Sequence, residues 1–119
     1  MFVIRSSKIL IPVATLLVIA ACASQTHEEA MQLFVEHTNM IVLGKKANIE
    51  RFLKPRSGYA LEGVQEVEPG IMEYSLVDKL ILFVPVEKKC RIIVVVQKET
   101  GTMINWRYNS KPEYCTENR

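Results

Sequence analysis

Hydrophobic and polar positions divide the chain into stretches of different character. Ile9–Ala21 is an uncharged, apolar run of 13 residues that follows Arg5 and Lys8. A membrane-spanning helix needs about 20 apolar residues, so this run is short. A positive start, an apolar middle and the small pair Ala20-Ala21 describe a secretory signal. Further on, Met31, Phe34, Val35, Thr38, Ile41 and Val42 recur at i, i+3, i+4 and i+7. That spacing predicts a helix over 27–43. Thr26-His27-Glu28-Glu29 opens it as a capping box, and Gly44 suits the position just past its end. Lys45–Lys54 predicts a second, shorter helix with Ile49, Phe52 and Leu53 as its apolar face and Pro55 as its stop.

Arg56–Gly70 carries Gly58, Gly63, Pro69 and Gly70 among Glu62, Glu66 and Glu68. This is loop chemistry, with at most a short extended piece at Tyr59–Leu61. From Ile71 the pattern turns to β. Ile71–Val77 is a candidate strand with Met72, Tyr74 and Leu76 on one face. Leu80–Val86 is apolar and β-rich, but Pro85 confines it to a sheet edge or a bulge. Arg91–Gln97 is the strongest strand. Glu99-Thr100-Gly101 fits a three-residue hairpin loop with glycine left-handed, and Met103–Tyr108 returns. That loop pairs Val96 with Ile104, Val94 with Trp106 and Ile92 with Tyr108, an apolar face for the helices. The expected fold is α+β: two N-terminal helices packed on a 3–4-stranded antiparallel β-meander, with one disulfide.

The run before Cys22 changes how the composition reads. Ile19-Ala20-Ala21-Cys22 resembles the lipobox of bacterial lipoproteins, in which the cysteine receives a diacylglyceryl group and becomes the new N-terminus. The resemblance implies a cleaved signal at 1–21, a lipidated tether at 22–26 and one domain at 27–119. Two or three acyl chains anchor stably where one is marginal. Ala23 and Ser24 follow, without aspartate, which in that family favours the outer membrane with the domain on the periplasmic side. Cleavage removes Arg5 and Lys8, so 15 basic residues become 13 against 13 acidic ones. The mature chain then has no basic excess to recruit nucleic acid. Acylation also accounts for one of three cysteines. Cys90 and Cys115 are left as a pair in an oxidising compartment, and Pro112 can turn the tail back toward Cys90.

Two further segments carry a looser resemblance to the SmpA/OmlA (BamE-like) group of outer-membrane lipoproteins. One is the junction Leu43-Gly44 to Phe52-Leu53-Lys54-Pro55. The other is the ending Cys90, Thr100-Gly101-Thr102, Trp106-Arg107-Tyr108 and Cys115. Phe52-Leu53-Lys54-Pro55 departs from that group's Leu-Gly-x-Pro ending, and Leu80–Val86 is apolar where relatives carry a polar loop. The resemblance implies helices on a sheet and a role in the envelope.

Chemistry is sparse. His27 and His37 lie ten residues apart with no metal-ligand spacing around them, and His37 reads as part of a solvent-facing helix surface. No phosphate loop, nucleophile elbow or HExxH motif is present. No catalytic residue, metal or cofactor is expected, and the protein reads as a non-enzyme. Lys45, Lys46, Arg51, Lys54 and Arg56 concentrate positive charge that suits lipid headgroups, lipopolysaccharide phosphates or an acidic partner. Leu80, Leu82 and Val84 form a candidate partner edge. The expected function is a lipid-anchored periplasmic accessory or scaffold subunit that binds another envelope protein in an outer-membrane machine, for barrel assembly or secretion. The alternative is a ligand- or inhibitor-binding lipoprotein that recognises an envelope enzyme, a cell-wall fragment or lipopolysaccharide.

Overall fold

A computed structural model describes residues 25–44, 47–80 and 83–117. Residues 1–24, which include the expected signal and Cys22, lie outside them, as do Lys45, Lys46, Ile81, Leu82 and residues 118–119. Among the described residues no helix is long and apolar enough to cross a membrane.

Helix α1 spans His27–Val42. Thr26 caps it, its Oγ1 accepting from the Glu29 N–H at 3.1 Å. Glu28 and Glu29 in the first turn complement the positive end of the helix dipole. The buried stripe is Ala30, Phe34, Thr38 and Val42, one residue per turn. Met31, Val35 and Ile41 flank it half-buried, so the face is narrower than the periodicity predicts. Gly44 does not take the left-handed conformation expected of it. A Cβ there would meet the Met40 carbonyl oxygen at 2.6 Å, and this close approach requires the glycine.

The second helix is a single turn, α2, Glu50–Leu53. The residues before it bond elsewhere. Asn48 bridges Thr102, the Ile49 N–H donates to the Gly101 carbonyl at 2.9 Å, and Ala47 accepts from Met103 N–H at 3.0 Å. Backbone groups used this way are lost to a helix ladder. Asn48 Oδ1 then accepts from Glu50 N–H at 2.9 Å, which starts the turn. Ile49 and Phe52 are buried as expected, whereas Leu53 is exposed.

The sheet is a four-stranded antiparallel meander, β1 Tyr59–Glu68, β2 Ile71–Asp78, β3 Arg91–Gln97 and β4 Met103–Tyr108, in the order β1-β2-β3-β4. The stretch expected to be a loop is thus mostly the ten-residue β1. Pro69 and Gly70 close its hairpin with β2, and Gly70 adopts φ +82°, which a two-residue turn of this composition demands. The described part of Leu80–Val86 is not a strand. Asp78 Oδ1 accepts from Leu80 N–H at 2.8 Å, the chain bends, and a 3-10 turn follows at Val86–Lys88. The sheet edges are therefore β1 and β4.

In the β3–β4 hairpin, Val94 faces Trp106 and Ile92 faces Tyr108 as expected. An irregularity after Val95 pairs Val96 with Met103 instead of Ile104. Met103 enters the core and Ile104 turns outward. Leu76, Ile92, Val94 and Val96 form the buried floor beneath α1. Phe34 packs edge-on against Trp106, with centroids 6.0 Å apart, and stacks on Tyr108 at 6.4 Å. The Trp106 indole N–H donates to Asn39 Oδ1 at 2.7 Å, so the aromatic cluster keeps its polar handle satisfied.

Cys90 and Cys115 are disulfide-bonded and buried. The bridge ties a tail containing the 3-10 turn Pro112–Tyr114 to the start of β3. Beyond it the Glu117 N–H donates to the Ala30 carbonyl at 3.0 Å, and Gln25 Nε2 donates to the Glu117 carbonyl at 3.2 Å. The tail therefore runs along α1. Closing a loop of sequence separation 25 restricts the unfolded chain by roughly 3 kcal/mol. The double variant Cys90→Ala/Cys115→Ala should lower unfolding stability by about that amount, read as a lower midpoint in urea.

Candidate functional site

Three surfaces carry more than packing. The first is an open cleft of about 560 Å³ between α1, α2, the start of β1 and the C-terminal tail. Phe34, Ile41, Phe52 and Leu80 supply apolar walls, and Phe52 meets the ring of Tyr59 edge-on at 5.3 Å. Burial, with Asp78 and Glu117 nearby, raises the Tyr59 phenol well above its ordinary value, so it stays protonated as a neutral donor.

Charge around the cleft is unevenly satisfied. Asp78 is engaged by the Leu80 N–H. Glu117 pairs with His37 Nδ1, and its buried Oε2 has no hydrogen-bond partner among the described residues other than this contact. His37 is thus part of a tail contact, where the sequence suggested a free helix surface. Arg51, Lys54 and Arg56 line the same cleft, are exposed, and make no ion pair among the described residues. The structure thus gathers three members of the basic group; the remaining two, Lys45 and Lys46, lie outside the described residues.

The candidate partner edge is dispersed. Leu80 is exposed and lines the cleft. Val84 is half-buried beside Cys90 and Tyr114. Leu82 lies outside the described residues, as does the lipidation candidate Cys22. Phe83, which sequence reasoning passed over, is 98% exposed.

The second surface is the sheet face opposite α1. Glu73 faces Val95 across β2–β3, and Arg107 faces Ile93 across β3–β4. Their side chains meet over β3 in a two-pronged pair, with Arg107 Nη1 and Nη2 donating to Glu73 at 2.8 and 2.6 Å. Arg91 similarly holds Glu62 at 2.9 Å, fastening β3 to β1 past β2.

The third surface is β1 itself. Every residue from Leu61 to Gly70 is exposed, including Leu61, Val64 and Val67. The strand is irregular at Leu61/Gly63 and at Glu66/Glu68. Sequence reasoning missed it because a strand exposed on both faces has no apolar alternation to detect. Its one local signal was Pro69-Gly70.

No cluster of His, Cys, Asp and Glu that would hold a metal ion occurs among the described residues. No protein-family model matches the chain, and neither a curated protein nor a solved structure matches it.

The Glu73–Arg107 pair has a pH signature. Hydrogen bonds from Arg107 hold the Glu73 carboxyl below the usual carboxylate range. A carboxyl whose folded-state pKa is depressed contributes stability above its unfolded pKa of about 4.3, and loses it as pH falls through the folded value. Glu73→Gln should cost about 0.5–1 kcal/mol at pH 7, since Arg107 is half-exposed. The deficit against the parent chain should close as both are taken from pH 5 to pH 3, followed by urea unfolding at each pH.

Proposed function

We propose that this protein is a lipid-anchored accessory or scaffold subunit of an outer-membrane machine, held by acylated Cys22 and recognising another envelope protein through the β1 edge of its sheet. The observation that supports it most directly is β1. It is a ten-residue outer strand with one side unpaired by any strand among the described residues, and with apolar Leu61, Val64 and Val67 exposed. Such an edge is a template for strand addition by a partner. Its two irregularities and Glu62, Glu66 and Glu68 discourage indiscriminate self-pairing, which leaves a partner of matching register as the occupant. The edge lies at β1, where the sequence had suggested Leu80–Val86.

The Ile19–Cys22 lipobox and the junction and ending similar to the SmpA/OmlA group favour the envelope and an assembly role in barrel insertion or secretion. The cleft supports a second reading, a ligand-binding lipoprotein.

Solubilised in mild detergent, the lipidated chain should sediment within a large complex. A photo-crosslinker at Val64 or Val67 should join it to one discrete partner, and Val67→Glu should reduce the Val64 adduct at least tenfold. Monomer alone, with no adduct at either position, rejects the scaffold reading. Cys22→Ala should abolish labelling by palmitate analogues; a chain that still takes the label is not anchored at Cys22.

A further inference from the structure

We propose that the cleft between α1, α2 and the C-terminal tail binds one monoacyl anionic phospholipid, its chain lying among the apolar walls and its phosphate on Arg51, Lys54 and Arg56. The inference is separate from partner recognition by β1. It rests on the anchoring reading only for where the lipid is encountered.

Size is the first support. Ligand-binding clefts run from roughly 300 to 1,000 Å³, and this one is about 560 Å³. The cleft has room for one long acyl chain laid along its floor. The walls suit that chain. Phe34 and Phe52 are each only 5% exposed as residues yet reach the cleft surface, so the floor is rigid and apolar. Each methylene withdrawn from water onto such a surface strengthens binding.

Charge decides the headgroup. Asp78 accepts from the Leu80 N–H and Glu117 contacts His37, so neither acidic side chain of the cleft is paired with the three cations. The three cations make no ion pair among the described residues. Arg51 comes from α2, while Lys54 and Arg56 come from the segment that leads into β1, so they border the cleft from one stretch of chain. A neutral ligand would leave this charge unanswered, and a free phosphate would leave the apolar walls unfilled. An anion on an acyl chain matches both. Protonated Tyr59 adds an uncharged hydroxyl that does not repel the phosphate.

Two measurements on the full lipidated chain test the assignment. The first places the photo-crosslinking residue p-benzoylphenylalanine at Leu80, which is exposed and lines the cleft. After irradiation in native membranes, the tryptic peptide beginning at residue 80 should carry the mass of a monoacyl phospholipid. The second reconstitutes the chain in neutral phosphatidylcholine nanodiscs. Lysophosphatidylglycerol should raise the Tm, whereas lysophosphatidylcholine of the same chain length and glycerol phosphate should each shift it little. The exposed triple variant Arg51→Glu/Lys54→Glu/Arg56→Glu should weaken the lysophosphatidylglycerol response about 10- to 100-fold, read as the concentration needed for half the shift. A cross-linked polypeptide, an adduct with the protein's own Cys22 acyl chains, no adduct, or equal shifts from the two lysolipids overturns the proposal. Loss of anchoring would appear instead as failure of palmitate labelling and would leave the cleft measurements standing.

Discussion

The Cys90–Cys115 bond holds the C-terminal tail against the start of β3, and the cleft side of the molecule depends on where that tail lies. From the bridge the chain needs only two more residues to reach Glu117, which bonds to Ala30 through its backbone and to His37 through its side chain. One covalent link thus positions one wall of the cleft and steadies the helix that forms another. A domain of this size buries a modest fraction of its surface, so a buried staple carries proportionally more of its stability than it would in a larger protein. Because Cys115 is fully buried, the bond is shielded from exchange with external thiols, which require access to the sulfur.

Legibility in the sequence followed burial. α1, β2, β3 and β4 each bury a stripe, and each was readable from its period. The loop Glu99-Thr100-Gly101 also set two of the three cross-strand pairs in the last hairpin. The third failed through a single irregularity after Val95, which exchanged Met103 for Ile104. Both residues are apolar and of similar size, so nothing in the pattern distinguished them. In the described part of the expected 45–54 helix, propensity was overridden by tertiary bonding. The backbone of 47–49 is held by the β3–β4 hairpin, and only Glu50–Leu53 was left to coil. Leu80–Val86 misled in the opposite direction. Its β-branched, apolar composition suits a strand, yet Pro85 and the Asp78 turn divert the chain and no ladder forms in the described part.

The candidate sites were legible in proportion to how local they are. The basic group was visible because its members are close in sequence. Its setting was not, since Phe34, Tyr59, Leu80 and Glu117 come from four separated segments. The engagement of Glu117 by His37 depends on a contact across 80 positions that no local pattern encodes. The disulfide was legible through cysteine arithmetic, once the lipobox resemblance had accounted for Cys22.

β1 and the cleft meet at Tyr59, the first residue of the strand and a wall of the pocket. The same strand runs from a half-buried aromatic, packed on Phe52, to a tip with no buried side chain. Its inner end is therefore fixed by the core, while its outer end is held by cross-strand bonds and by the exposed pair Lys98–Glu66. Surface pairs of this kind contribute about 0–1 kcal/mol each, so the arm is the part of the sheet a partner can reshape at least cost.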